Sequence, residues 1–136
     1  RRAIGACHAG WRGTALGIAA KTVREMQRLF GCDPADIQAA IGPAIGQCCF
    51  ETDGDVPEAL RAALGSEADP YITWNGRKYH IDLKAINALW LRKSGVTRID
   101  VSGDCTACRT DLYWSHRKHG NARGSQIAMI SLEDTL

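Results

Sequence analysis

Apolar residues recur along this chain in short blocks whose period changes from block to block, and those changes mark the elements. Residues 3–8 carry an apolar run, Ala3-Ile4-Gly5-Ala6-Cys7, that predicts a buried strand ending at His8, after which Gly10 and Gly13 impose a tight turn. Leu16, Ile18, Ala19, Val23, Met26, Leu29 and Phe30 follow at helical spacing, and Gly31 stands where a C-terminal cap belongs. Asp33-Pro34 predicts a single capped turn, with proline at the first helical position, where its missing N–H costs nothing. Residues 37–41 read as a short strand stopped by Gly42-Pro43.

Asp55 with Glu58 three residues on has the form of a capping box and predicts a helix through Leu60 and Leu64, stopped by Gly65. Residues 71–74 and 77–81 flank Asn75-Gly76, and a two-residue Asn-Gly loop between aromatic and β-branched residues is the strongest short-range hairpin signal. Asp82 predicts the cap of a helix carrying Ile86, Leu89, Trp90 and Lys93 and ended by Gly95, and residues 96–101 and 127–132 predict strands. A hairpin mixed with strand–helix–strand passages excludes a purely parallel doubly wound sheet. The expected class is α+β (mixed α/β), a layered sandwich with a mixed β-sheet.

A length of 136 residues with 45% hydrophobic content suits one domain over residues 1–136, with a core that needs no disulfide staples. Lys and Arg total 17 against 15 acidic residues, a net charge of +2, so neither nucleic acid nor an anionic membrane is expected as a partner. No stretch approaches the roughly 18 apolar residues of a membrane span. The chain starts Arg1-Arg2 without Met and enters an apolar run at once, which leads us to expect further polypeptide upstream. Six cysteines, a vicinal pair among them, read as reduced thiols in a core-rich chain and point to the cytoplasm.

Candidate chemistry begins at His8-Ala9-Gly10-Trp11-Arg12-Gly13, where an imidazole enters a turn with little side-chain bulk around it. A metal ion or substrate can approach such a ring closely, and Arg12 offers a planar fork to phosphate or carboxylate; the alternative is a structural histidine. In Ile41-Gly42-Pro43-Ala44-Ile45-Gly46-Gln47-Cys48-Cys49-Phe50-Glu51, Cys49 or Glu51 could act as nucleophile or ligand, or the cysteines could fill core beside Phe50. Cys105-Thr106-Ala107-Cys108 has the spacing of half a zinc knuckle or of a redox dithiol, but no second paired set follows it. Arg109, Arg117, Lys118, His119 and Arg123 interleave with Tyr113 and Trp114, a pattern suited to an anion contact or a solvated face. His80 alternates with Tyr79 and Ile81 and is expected to face solvent.

Taken in order, the His8 motif, the Ile41 to Glu51 motif and Cys105-Thr-Ala-Cys with Asp111-Leu-Tyr-Trp-Ser-His-Arg closely resemble the YfiH family, also called the laccase-domain or polyphenol oxidase family. The resemblance covers essentially the whole chain and makes it look like the C-terminal portion of such a protein, with the missing N-terminal portion as its necessary partner. It implies a YfiH-like fold and a zinc-dependent purine nucleoside phosphorylase acting on adenosine, inosine and methylthioadenosine, with adenosine deaminase activity. The family has also been described as copper-dependent laccases, and a peptidoglycan-precursor editing role is attached to bacterial members. The family's zinc ligands are a His in Val-His-Gly, a Cys in Ala-Asp-Cys and the His of His-Ala-Gly-Trp-Arg-Gly. Only the last maps here, onto His8, and neither Cys7, Cys48 nor Cys49 stands in for the others.

The expectations that follow are a metal and catalytic role for His8, zinc (alternatively copper) as cofactor, and a nucleoside with phosphate as substrates. The chain alone is expected to bind zinc weakly and to turn over nothing, because a catalytic zinc needs three protein ligands. Arg12 and Arg117 are candidates for phosphate by residue chemistry alone. Ser115-His116-Arg117-Lys118-His119-Gly120 departs from the family's more usual Tyr or Phe and Arg, which bears on substrate preference. The non-enzyme alternative is an interaction domain; oligomeric state is not set by the sequence.

Overall fold

Residues 2–133, the part that the computed structural model describes, arrange their helices around two small sheets. Strands β1 (Gln38–Ile41) and β5 (Arg98–Val101) pair in parallel, with Gln38 opposite Arg98 and Ile41 opposite Val101. Strands β2 (Glu51–Thr52), β3 (Ile72–Trp74) and β4 (Tyr79–Ile81) form an antiparallel sheet in the order β2-β4-β3. Parallel and antiparallel pairing thus both occur, each in its own sheet, and the mixed α/β class stands.

Side-chain alternation decides what each sheet buries. Ala39 and Ile41 of β1 and Ile99 of β5 turn toward α2 (Ile18–Phe30) and α4 (Leu83–Lys93), where Ala19, Val23, Leu91 and Val96 form one core. A second core gathers Phe50, Val56, Leu60, Leu64, Ala68, Ile81, Leu83 and Ile86 beneath α3 (Asp55–Leu64), the 3₁₀ segment Gly65–Tyr71 and the first turns of α4. Trp90 packs against both and joins them. Each fully buried Leu or Ile here contributes about 1.5–3 kcal/mol.

Several elements match the sequence expectation in detail. Asp33 Oδ1 accepts from Ala35 N at 3.0 Å to cap the Pro34–Asp36 turn, and Asp82 Oδ1 accepts from Ala85 N at 2.9 Å to cap α4. Gly31 closes α2 in a left-handed conformation, with Cys32 N reaching back to Met26 O.

Other elements differ, for physical reasons. Residues 3–8 form no strand: they run unpaired, and Ile4 keeps 42% of its surface, because no neighbouring strand among the described residues accepts their backbone groups. Residues 127–132 are likewise unpaired, with Ile127 86% and Met129 93% exposed. The turn expected at Gly10 and Gly13 is instead the short helix α1 (Trp11–Ala15), and the helix expected over 16–30 begins as α2 only after Gly17, whose φ of 68° places it in the left-handed region, where a Cβ would lie 3.5 Å from the Trp90 ring. Helix α3 starts at Asp55 itself after Gly54, with no side-chain cap, so the capping box does not form. The hairpin exists, but Asn75 N bonds to Lys78 O at 3.1 Å, which centres the turn on Gly76-Arg77. Asn75 Oδ1 then accepts from the Arg77 and Lys78 amides at 3.0 and 2.8 Å, a local bond that competes with the expected loop.

Candidate functional site

His8 is exposed at the end of the extended N-terminal segment, three residues ahead of the first residue of α1. A Cβ on Gly10 would lie 3.2 Å from His8 Nε2, so the imbalance of bulk in this motif keeps room for the ring. The turn is held from below. Thr14, fully buried, donates through Oγ1 to Ala9 O at 3.4 Å and accepts from Asn87 Nδ2 at 2.8 Å. Trp90 Nε1 donates to Thr14 O at 2.8 Å, so two side chains of α4 fix the helix that follows His8. Sequence reasoning named His8 and placed Trp90 on its helix, but did not join Thr14, Asn87 and Trp90 to this loop, because their link spans more than seventy residues of chain.

Among the described residues, no set of three His, Cys, Asp or Glu side chains includes His8. One imidazole does not meet the three-ligand requirement of a catalytic zinc, so these residues alone do not fit that metal at His8. Two surface grooves, of about 370 Å³ beside Gln38, Arg98 and Asp100 and about 210 Å³ beside Thr110 to Trp114, are both lined without His8.

Arg12 and Arg117 each rest on an aromatic ring of the same core cluster. Arg12 lies over the Trp11 ring at 4.4 Å from its centroid and is exposed. Arg117, in the short helix α5 (His116–His119), donates to Glu51 O at 3.0 Å and lies 5.5 Å from the Phe50 ring centroid, which ties α5 to β2. The basic stretch beyond Cys108 is largely engaged with itself. Arg109 forks onto Asp111 at 3.0 and 3.1 Å, and this bond holds the Asp111 carboxyl below its usual range. Tyr113 donates to Asp104 Oδ2 at 2.6 Å, which raises the phenol, and Arg123 donates to His116 Nδ1 at 3.2 Å. His80 does not face solvent as expected: its Nδ1 meets Gln47 O at 2.8 Å and its Nε2 meets Asn75 Nδ2 at 3.0 Å, with Glu51 close by. Its strand is the middle one of three, which turns that alternate position inward against the 47–51 segment.

A second assembly was only half visible in the sequence. The Sγ atoms of Cys48, Cys49, Cys105 and Cys108 all lie within 4.8 Å of one another. Cys108 Sγ is 3.6 Å from that of Cys48 and 3.5 Å from that of Cys49. Two short turns present them. In one, the Cys49 and Phe50 amides bond to Gly46 O; in the other, the Cys108 and Arg109 amides bond to Cys105 O. A bridge between Ala44 and Cys105, with Thr106 N bonded to Ala44 O at 3.1 Å, sets the turns side by side. Buried Lys84 donates to Ser102 O at 2.6 Å and Asp104 O at 2.8 Å and so anchors the approach to Cys105.

The thiols are electrostatically unequal. Burial pushes Cys105 up, but amide donors from Gly46, Cys108 and Ala107 outweigh it and bring the thiol down to about 6. Cys49 is pushed up to about 12, and Cys48 is raised, by burial first and then by the neighbouring sulfurs. The expectation that Cys105 and Cys108 lack a second pair is therefore corrected. The pair lies upstream, and its members are adjacent instead of spaced by two, so a search for a repeated Cys-x-x-Cys passes over it.

The family model described as multi-copper polyphenol oxidoreductase laccase matches residues 1–133. A purine nucleoside phosphorylase YlmD of Geobacillus stearothermophilus is 42% identical over 130 residues, which cover 93% of this chain and 47% of that protein. An adenosine deaminase RL5 from an unknown prokaryotic organism is 38% identical over 130 residues, covering 93% of this chain and 49% of its own length. The crystal structure of YlmD from Geobacillus stearothermophilus superposes with a TM-score of 0.81 at 42% identity, covering 87% of this chain and 45% of the other. The chain thus spans about half the length of the relatives it matches.

Proposed function

Because the chain belongs to the multi-copper polyphenol oxidoreductase laccase family, we propose that it supplies one half of a purine nucleoside enzyme whose site is completed by polypeptide beyond these residues. The reactions are phosphorolysis of adenosine, inosine and methylthioadenosine and deamination of adenosine, in keeping with relatives named purine nucleoside phosphorylase and adenosine deaminase. The observation that carries this reading is the His8 loop: an exposed imidazole over Gly10, braced through Thr14 by two α4 side chains. An exposed side chain with so much buried support is built to meet something outside the loop.

His8 is proposed as one ligand and catalytic group of a zinc site whose other two ligands lie elsewhere; zinc there would supply Lewis acidity. In phosphorolysis a phosphate oxygen bonds to the ribose anomeric carbon as the bond to the purine nitrogen breaks and the base leaves with a proton. Arg12 and Arg117 are both exposed and both lie over an aromatic ring; we take Arg12, next to the His8 turn, as the residue that orients that phosphate, since Arg117 already donates to Glu51 O. Copper-dependent phenol oxidation is the second reading, favoured by the family description. Against it, the four histidines are spread over the fold, and His80 and His119 are engaged by Gln47 and Ser115. Six free thiols support a reducing cytoplasm as the compartment.

The test is His8→Ala in the protein that joins this chain to the rest of the family's length. Adenosine turnover should fall by about 10²-fold or more, with zinc lost in step. Unchanged turnover removes His8 from the site, and phenol oxidation that needs copper, with no nucleoside turnover, overturns the reading.

A further inference from the structure

We propose that Cys48, Cys49, Cys105 and Cys108 together bind a single structural zinc ion, at a site separate from His8. Four thiolates around one zinc at about 2.3 Å stand about 3.8 Å from one another in a tetrahedron. The two closest recorded pairs, at 3.5 and 3.6 Å, sit just inside that spacing, and all four sulfurs fall within 4.8 Å. These separations are far longer than the roughly 2.05 Å of a disulfide, and all six cysteines are free. Sulfurs this close converge on one centre, whereas an iron–sulfur cluster distributes its thiolates over several irons.

The surroundings suit the ion independently of the sulfurs' spacing. Both segments are turns whose backbone is fixed by its own hydrogen bonds, and they come from parts of the chain 57 residues apart, from Cys48 to Cys105. Gly46 N donates to Cys105 Sγ at 3.1 Å, an amide-to-sulfur bond of the kind that supports a metal-bound thiolate. A Cβ on Gly46 would sit 3.1 Å from Cys105 Cβ and 3.3 Å from Cys48 Sγ, so the backbone can approach the sulfurs only because that position is glycine. Four protein ligands leave no open position, which makes the role structural. On binding, four Zn–S bonds replace the S–H bonds still present, and the protons pass to solvent. Such a site would depart from the expectation that this chain binds zinc weakly, and it leaves His8 outside the four-sulfur set.

The chain purified without chelator should carry a single equivalent of zinc by mass spectrometry of the metal. That zinc should persist in His8→Ala and vanish in Cys48→Ser and in Cys108→Ser, both exposed positions. Chelation should lower the unfolding temperature by at least about 5 °C, restored on adding zinc. Cobalt exchanged into the unmutated chain should give thiolate-to-metal charge transfer of four-sulfur intensity, a readout that does not depend on a variant folding. Several outcomes overturn the proposal: no zinc even after titration, iron in its place, a disulfide among the four, or zinc retained by both cysteine variants. Zinc lost with His8 but kept in Cys108→Ser also overturns it, and leaves the His8 reading intact.

Discussion

Thr14 shows how much a single buried side chain can do for an exposed loop. Its hydroxyl stands between Asn87 and Ala9, so Thr14→Val leaves one of the two N–H groups of the buried Asn87 amide without its acceptor, while the other still donates to Leu83 O. We expect a loss of about 1–3 kcal/mol in denaturant unfolding. On the proposed reading, a larger fall in kcat than in affinity for nucleoside should accompany it in the joined protein, because the turn before α1 loosens. Leu60, at 0% exposure, tests the core: Leu60→Ala should cost about 2–5 kcal/mol by the same measurement. At Asp111 the sign of the pH effect is fixed by its partner. Its carboxyl is lowered by Arg109, so the contribution is present above the ordinary carboxylate pKa and is lost as pH falls through the depressed value. Carboxyl titration by NMR should show Asp111 moving back up toward 3.8 in Arg109→Ala. His8 was legible because its motif is contiguous; its supports were not, because they arrive from α4 only after folding.

Elements were legible where local chemistry decides them. Asp33 and Asp82 cap as expected because their acceptors need only the next two or three amides. Asp55 does not, since the helix begins on it. The two stretches expected as terminal strands fail for a different reason: an apolar run states a preference for burial, and pairing requires a neighbour the run cannot name. Gly17 was hidden by an unbroken apolar stripe on both sides. Its left-handed backbone makes Gly17→Ala costly by about 1–2 kcal/mol, read as a lower unfolding temperature, with the new methyl about 3.5 Å from the Trp90 ring.

At the scale of the whole molecule, two cores share Trp90, and the cysteine assembly lies where the connection out of β1 meets the one out of β5. That meeting could not be read from spacing, because it depends on the parallel register that sets Ile41 beside Val101 and so brings residue 44 to residue 105. The fold class was legible, since it needs only the order of elements; the number of sheets was not.

The parallel pair has one more consequence. Among the described residues β1 and β5 each bond on one side only, and Gln38, Ala40, Arg98 and Asp100 of their outer face have no layer above them. Parallel strands ordinarily sit covered on both faces. Free rims of this kind act as templates, so copies of the chain held by themselves at high concentration should stack rim to rim and scatter light increasingly with time. Proline at position 40 should slow that growth if β1 is the seeding rim.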